Sequence, residues 1–217
     1  MEIKDFAKKI GIPYLIHFTK GENIDGIFQN GLLPKILIED LPYEVSINDE
    51  IRLDGHEDSV SLSIAFPNYK MFYKYRLKFS TLEWVVLAVH PSVLWEYECA
   101  FCKYNAADHR ISCVPKEKLK KLSSFKSMFT EYKQNESLKD LSGEEYRTMT
   151  REDRKLKAFD PTDPQAEVLV FDIIPVEKIF GAAFINRVLF SEFKQKYPSV
   201  KAVLNQNYFS SRSYVRS

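Results

Sequence analysis

The stretch "YLIHFTKGENIDGIFQNGL", residues 14–32, decides how the fold of this chain is interpreted. The apolar and β-branched residues of "YLIHFT" predict a strand that ends at Gly21. Apolar residues then recur at helical spacing, and the pair Asn30-Gly31 is a typical helix stop. The stretch therefore predicts a strand followed by a helix. His17, in the middle of the strand, is either a core histidine bonded to the backbone or a ligand-binding group.

Length and charge limit the classes of protein that remain. The chain has 217 residues, of which 45% are hydrophobic and 28% charged, and this size predicts one domain spanning residues 1–217. Its net charge is only +1, so a nucleic-acid surface would have to be a local patch. Neither a membrane-spanning apolar run nor a leader segment is evident in the sequence. We therefore expect a cytoplasmic protein without a membrane partner.

The cysteines raise the possibility of a metal site. The chain has three cysteines, Cys99, Cys102 and Cys113, and an odd number of cysteines is typical of a protein in a reducing compartment. The spacing in "CAFC" could bind zinc with His90 and His109 as further ligands. However, residues three apart in a strand point to opposite faces, and the segment lacks the glycine turn of a zinc knuckle. The sequence therefore predicts no metal site.

Short strands and helices alternate along the rest of the chain without internal repeats, which predicts an α+β fold. Residues 33–60 form a long stretch rich in turn formers and acidic residues, and such loops in compact domains are often functional. A second polar, proline-bounded stretch, residues 144–164, leads into a strand at residues 165–175. Glu167 therefore stands at the mouth of that strand, where it is either a solvent-facing residue or a functional carboxylate.

The lysine-rich segment at residues 113–132 predicts a helix with two possible roles. Leu119, Leu122 and Phe125 have the spacing of an amphipathic helix packed on the core. Alternatively, its lysines with Phe125 and Phe129 could form a groove for single-stranded nucleic acid.

Several of these segments, taken in order, resemble the DarT family of toxin ADP-ribosyltransferases, which modify nucleic-acid bases. They are "YLIHFT" with its following helix, "NGLL", "EIRLDGH", "FPNYKMFY" and the glutamate in "DPQAEVLV". The resemblance covers residues 14–175 and implies an ADP-ribosyltransferase-like α+β fold, with a central split antiparallel or mixed sheet and flanking helices. The segment "SLSIAFPNYKMFY" is more similar to the guanine-modifying branch than to the thymidine-modifying branch. We therefore expect guanine rather than thymine as the target base.

The resemblance also implies roles for individual residues. Glu167 would be the catalytic glutamate, because a fixed carboxylate stabilises the oxocarbenium-like ribose that forms when nicotinamide leaves. Arg52 would contact the bound NAD and assist catalysis, for which its planar, permanent charge is suited. His17 would hydrogen-bond the adenosine side of NAD. The other NAD contacts expected from the resemblance are Thr19, Asn23 and Leu33, with Met71 and Tyr73 lining the nicotinamide pocket.

The implied function is transfer of ADP-ribose from NAD, the co-substrate, to a base in single-stranded DNA by a toxin that has a macrodomain antitoxin. Two alternatives remain open: the same chemistry on RNA, and a non-catalytic module of the same fold that binds a nucleotide or nucleic acid. A module without catalysis has no physical need for the carboxylate, so Glu167 together with His17 and Arg52 disfavours the second. The residues expected to contact the single-stranded nucleic acid lie in the loop before Glu167: Arg151, Arg154, Lys155 and Lys157.

Overall fold

A computed structural model of the chain describes residues 2–38, 45, 55–132 and 150–212. Within these residues it has the strands β1 Leu15–Lys20, β2 Val60–Ile64, β3 Trp84–Val89, β4 Cys99–Cys102, β5 Glu167–Val170, β6 Ile179–Phe184 and β7 Lys201–Leu204. They form one seven-stranded sheet in the order β4-β5-β2-β1-β3-β6-β7. Neighbouring strands are antiparallel except β6 and β7, which are parallel. The α+β prediction is therefore confirmed, with a mixed and mainly antiparallel sheet.

The helices of the described residues flank this sheet. They are α1 Ile3–Ile10, α2 Ile24–Asn30, α3 Lys35–Ile38, α4 Tyr69–Lys78, α5 Val93–Glu96, α6 His109–Ser112, α7 Lys116–Leu119, α8 Leu122–Ser127 and α9 Arg187–Lys196. Among these residues, no helix is of a length and apolarity that would span a bilayer. The predicted lysine-rich helix is two shorter ones, α7 and α8, separated by the extended backbone of Lys121. Leu119 and Phe125 are buried in them, which confirms the core interpretation over the groove.

The two faces of the sheet carry separate apolar clusters. Alternate residues of β1 show this, because Leu15 packs in one cluster and Ile16 in the other. Helix α1 contributes Ala7 to the first cluster, whereas α4 contributes Phe72 and Tyr75 to the second. Helices α1 and α4 therefore cover opposite faces.

The cysteines of β4 follow the same alternation. Cys99 packs in the cluster that contains Leu15, and Cys102 packs with Leu169 in a third cluster. Burial raises the pKa of the Cys99 thiol to about 12, so it stays protonated at neutral pH. Among the described residues, no group of three or more His, Cys, Asp or Glu side chains could hold a metal ion.

The segment that decided the sequence interpretation folds as expected. Strand β1 is followed by α2, and Gly31 ends that helix with a φ of 82°. Directly afterwards, Leu32 and Ile174 exchange two backbone hydrogen bonds of 2.8 and 3.0 Å. This bridge joins the end of α2 to the chain that leaves β5.

Candidate active site

Glu167 is the first residue of β5, and its side chain is buried: the residue is 4% exposed. In the described part of the chain, three side chains donate hydrogen bonds to its carboxylate. The amide Nδ2 of Asn105 donates to Oε1 at 2.6 Å, and that of Asn68 donates to the same oxygen at 3.5 Å. The hydroxyl of Ser61 donates to Oε2 at 3.3 Å. Glu167 is therefore not the solvent-facing residue that its place in the sequence allowed.

The two asparagines are themselves oriented by backbone groups. Oδ1 of Asn105 accepts the N–H of Ala107 at 3.0 Å, and Oδ1 of Asn68 accepts the N–H of Met71 at 3.2 Å, which caps α4. An amide oxygen bound to an N–H leaves the Nδ2 group as the one that turns to the carboxylate. Both donors to Glu167 are thus fixed in direction.

His17 meets the same part of β2. Strands β1 and β2 pair through Leu15–Ile64 and Ile16–Ser63, and next to these pairs Nδ1 of His17 lies 3.2 Å from the backbone oxygen of Ser61. Ser61 therefore contacts His17 through its backbone and Glu167 through its hydroxyl. The structure thus brings two residues that the sequence singled out, 150 positions apart, to one residue of β2.

The other predicted NAD contacts lie at the end of β1, after α2 and in α4. Thr19 is buried, and its hydroxyl accepts a 3.0 Å hydrogen bond from Nδ2 of Asn23, so these two residues form a pair at the end of β1. Leu33 is half-buried directly after the Leu32–Ile174 bridge. Met71 is half-buried on α4, and Tyr73 on the same helix is 57% exposed. The predicted contact Arg52 lies outside the described residues.

Arg151 is one of the predicted nucleic-acid contacts, but its guanidinium bonds groups of its own loop. Nη1 donates to the backbone oxygen of Asp160 and to the hydroxyl of Thr162, both at 2.7 Å, and Nη2 donates to the backbone oxygen of Lys157 at 2.8 Å. Burial lowers the pKa of Arg151 below its usual value. Arg151 therefore holds together the loop that leads to Glu167.

The guanidinium of Arg154 also bonds a backbone group of this loop. Its Nη1 donates to the backbone oxygen of Thr162 at 2.9 Å, and its guanidinium lies 5.0 Å from the ring centre of Tyr132. Lys155 and Lys157, by contrast, are exposed. Of the four predicted contacts, these two lysines present their charge to solvent, and all four assignments remain predictions.

The sequence did not point to Ser61, Asn68 or Asn105. Asn68 carries a local signal, because an asparagine directly before "YKMFYKY" is a typical N-cap. Its second role, as a donor to Glu167, depends on how the strands are ordered. Asn105 lies in a turn after β4 and has no comparable signal.

Solved structures of DarT and DarTG proteins have a similar fold. The chain is similar to Thermosipho africanus DarTG in complex with ADP-ribose, at a TM-score of 0.59 and 16% identity, over 90% of this chain and 50% of that one. It is also similar to Thermus sp. 2.9 DarT in complex with ADP-ribosylated ssDNA (TM-score 0.58, 14% identity, 92% and 97% of the chains). The same DarT in complex with carba-NAD+ gives a TM-score of 0.56 and 14% identity over 92% and 99%. These similarities confirm the ADP-ribosyltransferase-like fold.

The sequence places the chain more narrowly. A family model described as "ssDNA thymidine ADP-ribosyltransferase, DarT" matches residues 16–214, and the chain belongs to this DarT family. This confirms the resemblance that the ordered segments indicated. The chain spans about half the length of the Thermosipho DarTG chain, and no protein with a curated description matches the sequence.

Proposed function

We propose that this protein transfers ADP-ribose from NAD to a base of single-stranded DNA and releases nicotinamide. The observation that carries the proposal is the buried carboxylate of Glu167, held on both oxygens at the mouth of β5 in a chain of the DarT family. A carboxylate fixed in this way stabilises positive charge as it develops on the ribose. It can also accept the proton that leaves the attacking base nitrogen.

The other residues would bind NAD around this carboxylate. His17 would contact the adenosine side, helped by the Thr19–Asn23 pair and by Leu33, and Arg52 would contact the dinucleotide and assist catalysis. Met71 would line the nicotinamide pocket from α4, the helix that begins at a donor to Glu167. We further propose that residues 1–217 form one catalytic domain, that no metal takes part, and that the protein acts in the cytoplasm.

The target base is a finer part of the proposal. The segment "SLSIAFPNYKMFY" favours guanine, whereas the description of the family names thymidine. We retain guanine as the prediction and thymine as its competitor. We further propose a toxin role with a macrodomain antitoxin, which is supported by the similarity to a DarTG protein.

Labelled NAD supplies the test of this function. The protein is incubated with adenine-labelled NAD and separate pools of single-stranded DNA, duplex DNA, RNA and protein, and the label on each pool is measured. We expect label on single-stranded DNA, with oligonucleotides that contain guanine as the sole reactive base labelled above those that contain thymine. Label on RNA alone would favour the RNA alternative. Binding of NAD without release of nicotinamide would favour the non-catalytic module.

His17→Ala is expected to weaken NAD binding by about tenfold, because the loss of one hydrogen bond to the ligand costs ~1.4 kcal/mol. The bond is lost in the ground state and the transition state alike, so KM for NAD should rise while kcat changes less. Calorimetric titration with NAD measures the affinity.

His17→Asn is the matched control for this prediction. Asparagine places an amide near the position of Nδ1, where it can bond the backbone oxygen of Ser61, and removes the other ring nitrogen. NAD affinity should fall in this variant as well. Unchanged affinity in both variants would return His17 to the core-histidine interpretation.

A further inference from the structure

We propose that Asn105 and Asn68 are positioning residues that hold the Glu167 carboxylate in its reactive orientation; this rests on the proposed function. Both amide nitrogens converge on Oε1, at 2.6 and 3.5 Å. Oε2 accepts a hydrogen bond from the hydroxyl of Ser61 at 3.3 Å. Of these three hydrogen bonds, the one from Asn105 to Oε1 is the shortest, and Oε1 is the oxygen that both amides hold.

The two donors approach from both sides of the strand that Glu167 begins. In the sheet, β5 lies between β4 and β2. Asn105 follows β4 by three residues, and Asn68 follows β2 by four. Rotation of the carboxylate away from its place would break bonds on both sides, and both amides are fixed by backbone N–H groups. The arrangement preorganises the carboxylate before NAD binds.

Asn105→Ala tests the positioning role. A carboxylate that loses its 2.6 Å hydrogen bond from Asn105 is less well oriented, so kcat should fall about tenfold or more while KM for NAD stays within about twofold. Hydrogen bonds to a carboxylate favour its charged form, so the acid limb of the pH profile of kcat should move to higher pH. A purely structural role would not produce that shift.

Two further variants make the test specific. Asn205→Ala is the control, because Oδ1 of Asn205 accepts the N–H of Asn207 at 3.0 Å in a turn of the same kind. This variant loses the same type of hydrogen bond and should leave the pH profile unchanged. Asn105→Asp retains an oxygen for the N–H of Ala107 but places a second carboxylate beside Oε1. It should lower kcat at least as much as alanine does, with a larger shift of the acid limb.

The outcomes separate this proposal from the proposed function. A wild-type protein that transfers no ADP-ribose would overturn the function. An active wild-type protein whose kcat and pH profile are unchanged in Asn105→Asp would overturn the positioning role alone. If Asn105→Ala does not fold, the aspartate variant still decides.

A second inference comes from the outer face of α4, and it is independent of the carboxylate. Lys70, Lys74 and Lys78 follow one another at intervals of four residues and are exposed, and α4 contains no acidic residue. Beside this row lie Tyr73, 57% exposed, and Leu77, 60% exposed. Within the described part of the chain, none of the three lysines is in an ion pair. We name these five residues the α4 basic face.

We infer that the α4 basic face binds the single strand next to the target base, which again rests on the proposed function. Helix α4 begins beside Glu167, because its N-cap Asn68 donates to the carboxylate. Lysines in a row neutralise phosphates, and an exposed aromatic ring stacks on bases without regard to sequence. The exposure of Tyr73 fits a stacking surface better than the wall of a nicotinamide pocket.

The test compares two pairs of lysines with identical spacing. Lys70→Ala/Lys74→Ala removes charge from the α4 basic face, and Lys4→Ala/Lys8→Ala removes an exposed pair from α1 on the opposite face of the sheet. Binding of a labelled single-stranded oligonucleotide is followed by fluorescence anisotropy with carba-NAD+ present, over a range of salt concentrations. The α4 variant should bind about tenfold more weakly, with a slope of log K against log salt smaller by about 1.4 for two lost phosphate contacts.

A third variant, Lys155→Ala/Lys157→Ala, measures the loop before Glu167. A wild-type protein that neither binds nor modifies the oligonucleotide would overturn the proposed function. If the wild type binds but the α4 variant matches the α1 control, the inference about the α4 basic face is wrong. A loss of oligonucleotide binding confined to the loop variant would also overturn it. That result would show that the loop before Glu167, and not α4, binds the single-stranded DNA.

Discussion

Glu167→Gln is expected to lower kcat for ADP-ribosyl transfer on the order of 10³-fold, because it removes the charge that, on the proposed function, would stabilise the ribose cation. Glutamine has nearly the same volume and keeps one oxygen that can accept from Asn105. NAD binding should change little, since on the proposed function the carboxylate would act in the transition state and not in the ground state. Transfer of label to an oligonucleotide measures kcat, and calorimetric titration measures the affinity for NAD.

The same substitution should not destabilise the fold. A buried carboxylate is costly to desolvate, so the thermal midpoint of Glu167→Gln should equal or exceed that of the wild type. Glu167→Ala should be equally inactive but less stable, because it leaves the amides of Asn105 and Asn68 without their acceptor. Near-normal turnover of either variant would refute the assignment of Glu167.

The sequence predicted the site where the signal was local. A run of apolar and β-branched residues predicted β1 with His17, a glycine predicted the end of α2, and a polar loop before an apolar run placed Glu167 at the mouth of a strand. Each of these patterns depends on a few consecutive residues, and secondary structure follows such patterns closely.

What the sequence could not predict depends on residues far apart. Asn105 and Asn68 reach Glu167 because β4, β5 and β2 are neighbours, and 62 and 99 positions separate them from the glutamate. The direction in which a side chain points is equally hard to predict from the sequence. The charge of Arg151 is evident in the sequence, but its guanidinium bonds the loop backbone instead of facing solvent. The α4 basic face appears only once burial distinguishes its outward residues.

Gly31→Ala is expected to have the largest effect on stability. The backbone of Gly31 has φ 82° and ψ −172°, a conformation that is essentially restricted to glycine. A Cβ at this position would lie 2.4 Å from the backbone oxygen of Ile174, the same oxygen that accepts the N–H of Leu32 at 2.8 Å. Alanine must therefore separate Leu32 from Ile174 as well as strain the turn. We expect a loss of about 3–5 kcal/mol in the free energy of unfolding.

Urea denaturation measures this loss, and Gly11→Ala is its control. Gly11 also has a positive φ, 70°, but a Cβ there meets nothing within 4 Å, so its cost should be only about 1 kcal/mol. Leu33 directly follows the Leu32–Ile174 bridge, which alanine at residue 31 would strain. Gly31→Ala should therefore also weaken NAD binding, whereas Gly11→Ala should leave it unchanged. Equal losses of stability in the two variants would show that the backbone conformation alone, and not the contact with Ile174, requires glycine at residue 31.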